Sequence, residues 1–97
     1  MTVLQIEHAV RDFDRWKEAF DSDPVGRRQG GVRRYRILQA ADDPNFVAIE
    51  LEFDGAAEAE AFQGRLEELW SGGATERLGL EGRRARVMDT VEAASRP

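Results

Sequence analysis

The stretch HAVRDFDRWKEAF, residues 8–20, contains the change of hydrophobic period that decides the fold of this chain. Its first residues continue a pattern begun at residue 2, in which side chains alternate between two faces, and a period of two predicts a β-strand. After Asp12, a favourable helix N-cap, large aromatic residues recur at positions i, i+3 and i+7, which predicts a helix. These aromatic residues are Phe13, Trp16 and Phe20. The chain therefore changes from strand to helix around residues 10–13.

The same two hydrophobic periodicities predict three more strands and a second helix. The additional strands are predicted over residues 31–40, 46–53 and 83–93. Residues 46–53, FVAIELEF, alternate most regularly, and the cluster Asp42–Asn45 just before them is typical of a turn. The second helix is predicted from a cap at Asp54 to about Trp70, where Ser71–Gly73 should stop it.

The resulting order of elements is βαββαβ, which predicts an α+β fold of the ferredoxin-like type in a single domain over residues 1–97. Two helices would cover one face of a four-stranded antiparallel sheet. On the opposite face, acidic residues of the central strands (Glu7, Glu50 and Glu52) would lie between arginines of the outer strands. Two such faces could pair across a homodimer, which we predict; the alternative is a monomer whose second sheet face is solvated.

Composition excludes several classes of partner and chemistry. The net charge is −5 and the isoelectric point is about 4.9, whereas nucleic-acid-binding domains are basic. No apolar run reaches the length of a membrane span, and the first residues do not resemble a signal peptide, so a cytoplasmic location is expected. Without cysteine, disulfides, thiolate metal sites and a cysteine nucleophile are excluded. A single histidine gives little support for a metal site, and none is predicted.

Three segments carry a resemblance to a known family. These segments are residues 8–23 (HAVRDFDRWKEAFDSD), 26–36 (GRRQGGVRRYR) and 42–54 (DDPNFVAIELEFD), which precede an Ala/Glu-rich helix. Together they resemble the dimeric α+β barrel superfamily. More narrowly, they are similar to small actinobacterial proteins of the cyclase-like or antibiotic-biosynthesis-monooxygenase-like type.

The resemblance implies a homodimer whose sheets form a barrel, with a pocket in each protomer between the sheet and the helices. Members include cofactor-free monooxygenases, polyketide cyclases, isomerase-like proteins and haem-degrading enzymes. The haem-degrading members use an asparagine, a tryptophan and a histidine, but here no histidine follows Trp70 and Asn45 lies in a predicted turn. No cofactor is therefore predicted.

His8 is the candidate catalytic residue, because it shares the apolar face of the first strand and an imidazole suits proton transfer near neutral pH. The other interpretation is a histidine bonded to a backbone carbonyl within an ordinary core. Aromatic residues predicted in the same layer are candidates for binding a flat substrate, or for simple packing. They are Trp16, Phe20, Tyr35, Phe53, Phe62 and Trp70. Arg27 and Arg28 could guard a pocket mouth, although a solvated loop is the simpler interpretation.

Two functions therefore stand as hypotheses. The first is a small-molecule-binding protein of secondary metabolism, acting as a cofactor-free monooxygenase, cyclase or isomerase on a hydrophobic aromatic or polyketide-like compound. The second is a non-catalytic dimeric binding or assembly module. An open cavity lined by His8, Trp16 and Trp70 is expected only for the first.

Overall fold

The computed structural model describes residues 1–95, and its main elements follow the predicted βαββαβ order. The strands are β1 (Thr2–Ala9), β2 (Arg34–Ala40), β3 (Asp43–Phe53) and β4 (Glu81–Asp89). The main helices are α1 (Phe13–Asp21) and α2 (Ala56–Leu69), followed by a π-helical turn (Trp70–Ala74) and the short helix α3 (Thr75–Leu78). No helix within residues 1–95 is both long and apolar enough to cross a membrane.

The sheet is antiparallel with the strand order β2-β3-β1-β4, so the two most apolar strands are its centre. The apolar alternate residues of β1 and β3 pair with each other, with Leu4 opposite Leu51 and Ile6 opposite Ile49. All of these side chains are buried beneath the helices. Each contributes about 1.5–3 kcal/mol to the free energy of unfolding through the hydrophobic effect, so this face is the core of the fold.

Asp12 caps α1 as predicted. Its Oδ1 accepts a hydrogen bond from the backbone N–H of Arg15 at 3.3 Å, and its own backbone is extended. The helix ends at Asp21, because Asp23 adopts a left-handed conformation (φ 56°) just before Pro24. Trp16 is the buried residue of this helix, and its ring lies next to that of His8 in β1.

The predicted turn Asp42–Asn45 is wrong in extent. Only Ala41 and Asp42 form the turn, since Ala40 already lies opposite Asp43, and β3 includes both Pro44 and Asn45. The backbone carbonyl of Asn45 accepts the N–H of Val10 at 2.7 Å, which extends the pairing of the central strands. The turn-forming residue types are therefore tolerated at the end of the strand, where few ladder hydrogen bonds are required of them.

Asp54 does not cap α2, contrary to the prediction. The N-cap is Gly55, without a side-chain hydrogen bond, and the carboxylate of Asp54 instead accepts from Nε of Arg33 at 3.1 Å. The glycine run does end the second helix as predicted, because α2 stops at Leu69 and the backbone of Gly73 (φ 106°) is not helical before the chain enters α3. The bounds of the final strand also differ from the prediction. The strand begins at Glu81 rather than at residue 83 and ends at Asp89 rather than at residue 93.

The sheet face away from the helices carries the predicted acidic centre, but part of its charge is paired within the chain. Arg34 contacts Glu52 at 2.8 Å and Arg36 contacts Glu50 at 2.6 Å. Exposed pairs of this kind contribute about 0–1 kcal/mol each. The outer-strand arginines do not all lie on this face as predicted, because Arg83 of β4 lies on the helix side with its Cζ 5.0 Å from the centroid of the Trp70 ring.

Candidate functional site

A cavity of about 190 Å³ lies between the helix-facing side of the sheet and the helices. Its inner walls are apolar and include Ile6, Ile49, Leu51, Phe62, Leu66 and Leu80. A cavity of about 150 Å³ in another protein accommodates benzene, so this volume is suited to one aromatic ring with a small substituent. Apolar walls with a few polar groups are typical of small-molecule sites.

His8 is the polar group of the inner cavity. Its side chain lines the cavity and is only 2% exposed, because the phase of β1 directs it towards the helices. Nδ1 lies 3.2 Å from the backbone oxygen of Ala9. A carbonyl oxygen can only accept, so in this contact Nδ1 carries the proton and Nε2 holds the lone pair of the neutral ring.

The acceptor nitrogen of His8, Nε2, is unpartnered in the described part of the chain. Within residues 1–95, every side-chain nitrogen or oxygen that is completely shielded from solvent has a partner, so Nε2 is not completely shielded. The His8 side chain lines the cavity, so a molecule bound there lies beside the ring that carries this nitrogen. Nε2 can accept a hydrogen bond or a proton from a molecule bound there.

Burial keeps this imidazole neutral. Loss of hydration lowers the pKa of His8 from its ordinary value of 6.5. The hydrogen bonds that the ring donates to the backbone of Ala9 and of His8 itself raise the pKa, whereas the positive charge of Arg83 lowers it further. At neutral pH the ring is thus a free base, with its acceptor nitrogen available to a ligand.

The lowered pKa of His8 predicts that the protein loses stability on acidification. In the unfolded chain His8 binds a proton near pH 6.5, whereas in the fold it does so only at lower pH. Between these points the unfolded state holds more protons, so the free energy of unfolding should fall as the pH is lowered through 6.5 towards the lower pKa of the folded state. Denaturant titrations at several pH values measure this. His8 is the only histidine, so His8→Gln should flatten the dependence; an unchanged slope would contradict the assignment.

The two tryptophans enclose His8. The ring centroids of Trp16 and Trp70 lie 5.9 and 6.4 Å from the imidazole, both in edge-to-face arrangements. Neither indole N–H donates a hydrogen bond to any group in the described part of the chain, and both side chains line the cavity. Trp16 also packs against Phe20, one turn along α1, with the ring centroids 5.4 Å apart. The aromatic side of that helix therefore continues the cavity wall towards the solvent.

Five of the seven predicted site residues line this cavity: His8, Trp16, Phe20, Phe62 and Trp70. Phe53 and Tyr35 do not. Phe53 is fully buried and packs against Phe62, with the ring centroids 5.6 Å apart. Tyr35 is 45% exposed and packs against Phe20, with the ring centroids 5.2 Å apart. Their role in binding a substrate stays a prediction, and here they act through the wall residues that they touch.

Sequence reasoning missed much of the cavity mouth. Arg77 of α3 lines the cavity and is exposed to solvent. The same is true of Ser22 and Pro24, which lie in the segment after α1. Arg27 also lines the cavity, whereas Arg28 borders a shallow groove elsewhere. These residues come from loops that periodicity does not describe, and only the arginine cluster itself was a signal.

No group of three or more histidine, aspartate or glutamate side chains within residues 1–95 is arranged to hold a metal ion. His8 has no carboxylate among its hydrogen-bond or aromatic contacts. The inner part of the site therefore consists of one imidazole, two indoles and apolar walls.

Solved structures with the same architecture come from several bacteria. A provisionally assigned antibiotic biosynthesis monooxygenase from Deinococcus radiodurans superposes with a TM-score of 0.77 at 12% identity, over 100% of this chain and 99% of that one. SnoaB, a cofactor-independent oxygenase from Streptomyces nogalater, gives 0.71 at 12% identity, over 98% and 97%. A dimeric ferredoxin-like protein from an uncultured marine organism gives 0.62 at 12% identity, over 99% and 100%.

No protein-family model matches the chain, and no curated protein matches it significantly. At these identities the structural likeness establishes the fold. The chain has the ferredoxin-like fold that these solved structures share.

Proposed function

We propose that this protein binds a small aromatic compound in the cavity between sheet and helices and acts on it as a cofactor-free enzyme of the monooxygenase, cyclase or isomerase type. The observation that carries the proposal is the unpartnered Nε2 of His8, whose side chain lines a cavity with apolar inner walls. A filled core, as expected for an assembly module, has no need of an unpartnered imidazole nitrogen.

His8 would act as a general base. A phenol or enol of the substrate donates its proton to Nε2, which gives an imidazolium and an anion delocalised over the ring. The lowered pKa of His8 keeps the ring deprotonated before the substrate arrives, although it also makes the base weaker. The new cation and anion stabilise each other in the apolar cavity, where water competes little for either charge. Proton removal of this kind can begin oxygenation, cyclisation or isomerisation.

The size of the cavity sets the scale of the substrate. A volume of about 190 Å³ favours one ring over a fused polyketide skeleton. Native mass spectrometry of the purified protein tests the binding step directly. A co-purifying adduct corresponding to a one-ring compound would support the proposal, and a protein that takes up no aromatic compound from a panel of phenols would overturn it.

A homodimer is part of the same proposal. The sheet face away from the helices is not covered by any other part of residues 1–95, and it carries exposed apolar side chains at opposite corners, Leu38 and Met88, each 40% exposed. The dimeric ferredoxin-like neighbour supports this arrangement. A second copy would cover both corners and remove their apolar surface from water.

Leu38→Glu and Met88→Glu should each weaken the dimer at least about tenfold, because each places an unpaired charge in an apolar contact. Both positions are exposed in the single chain, so the fold itself should tolerate the change. Ala57→Glu, on the exposed side of α2, is the matched control and should leave association unchanged. Sedimentation velocity over a range of concentrations measures the effect. Wild-type protein that is monomeric at micromolar concentration would contradict the dimer.

A further inference from the structure

The mouth of the cavity is positively charged, although the chain as a whole has a net charge of −5. Arg27 and Arg77 both line it, and Asp23 is the only acidic side chain among the described residues that do so. Two guanidinium groups and one carboxylate leave one positive charge in excess at the entrance. An entrance of this kind favours anionic ligands.

Arg27 is held rigidly in place. Its Nη1 donates to the backbone oxygen of Phe20 at 2.7 Å and lies 3.5 Å from Oδ1 of Asp23. The guanidinium also stands over the Phe20 ring, with Cζ 4.0 Å from the centroid, and 5.0 Å from the ring of Tyr35. Only 18% of this side chain is exposed. A charged group fixed in this way loses little further freedom when it binds a ligand.

The loop around Asp23 is built to place this arginine. Asp23 has a left-handed backbone (φ 56°), which is uncommon for a residue other than glycine. Its Oδ1 accepts the backbone N–H of Arg27 at 2.8 Å, and its carbonyl accepts the N–H of Gly26. The side chain that partly neutralises Arg27 thus also fixes the turn that presents it to the cavity.

One edge of the Arg27 guanidinium remains free. Nε and Nη2 donate to no group among residues 1–95, since the hydrogen bond and the ion pair of this side chain both use Nη1. Nε and Nη2 share the edge of the guanidinium that binds a carboxylate through two parallel N–H bonds. Tyr35, which does not reach the cavity, stacks on the same guanidinium and supports it from outside.

We infer that the site takes an aromatic acid. The ring lies against Trp16 and Trp70, and the carboxylate lies at the mouth on the free edge of Arg27, with Arg77 as a second cation. This inference rests on the proposed aromatic pocket and adds its charge selectivity. It also gives a function to two residues outside the proposed catalytic group, because Arg27 and Asp23 position the ligand without taking part in proton transfer.

Phenylacetate and its neutral isostere phenylacetamide test the inference. The two tryptophans of the chain both line the cavity, so the NMR shifts of their indole N–H groups report occupancy and give a dissociation constant for each probe. Phenylacetate should bind about tenfold more tightly or better, since hydrogen bonds to charged groups contribute about 1.5–3 kcal/mol. Higher ionic strength should weaken the acid and leave the amide unchanged.

Arg27→Gln should remove the preference for the acid while leaving the affinity for the amide intact, and Arg27→Lys should keep part of the preference. Arg28→Gln, the adjacent arginine that does not line the cavity, is the matched control and should change neither constant. Equal binding of acid and amide to the wild-type protein would overturn the inference but keep the aromatic pocket. If neither compound shifts the indole signals, both this inference and the proposed function are wrong.

Discussion

Replacing His8 by Gln is expected to lower the turnover of a phenolic or enolic substrate by about 10²–10⁴-fold, which is the usual contribution of a positioned general base. The amide oxygen of Gln can accept a hydrogen bond from the substrate, but it cannot take up the proton. Binding should therefore change much less than turnover. The measurement is steady-state kinetics on a compound identified by mass spectrometry of the purified protein, with kcat and KM determined separately.

A second variant separates proton transfer from simple loss of a contact. His8→Ala removes the hydrogen-bond acceptor as well as the base, so its affinity for the substrate should fall further than that of His8→Gln, with a similar loss of kcat. The rate of the wild-type protein should decline on the acidic side as His8 becomes protonated, at a pH below the ordinary pKa of 6.5. Neither variant should retain that decline. Turnover preserved in His8→Gln would rule His8 out as the base.

The orientation of His8 was predictable because it follows from strand phase alone. Once residues 2–10 alternate, His8 must share a face with Leu4 and Ile6, and the apolar character of that face assigns it to the core. The edge-to-face contacts with both tryptophans then require only that the two helices cover this face. Short-range periodicity was sufficient for this part of the site.

Position along and across the sheet was not predictable in the same way. Phe53 has the same phase as the cavity residues of β3, yet it pairs with Thr2, six residues from His8 along β1. At about 3.3 Å per residue, this places it roughly 20 Å from the imidazole along the strand. Tyr35 likewise lies on the edge strand β2, opposite Leu51. Periodicity gives the face of the sheet that a residue occupies, whereas the register decides which residues of that face meet.

The mouth depended on backbone conformations that no periodicity describes. Gly73, at φ 106°, redirects the chain from the π-helical turn into α3 and so brings Arg77 to the cavity. Asp23, at φ 56°, does the equivalent for Arg27. A glycine run or an Asp-Pro pair indicates a break in a helix, but the direction of the chain after the break depends on tertiary contacts.

The register also yields the second large expected effect, on stability. Phe53 is fully buried and packs against Phe62, so Phe53→Ala should lower the free energy of unfolding by about 3–5 kcal/mol through lost burial and the space left behind. Domains of this size have about 5–15 kcal/mol in total, so the variant should unfold at a much lower denaturant concentration. Denaturant unfolding at a fixed protein concentration measures the difference, because dimerisation would make the stability depend on concentration.

Tyr35→Ala is the informative comparison, because sequence reasoning placed both rings in the binding layer and the structure places neither in the cavity wall. Tyr35 is 45% exposed, so removing its ring should reduce the free energy of unfolding by only about 1 kcal/mol. Its loss should instead loosen Arg27, which it contacts, and reduce the preference for phenylacetate over phenylacetamide. A Phe53→Ala variant as stable as Tyr35→Ala would show that Phe53 is not the core residue described.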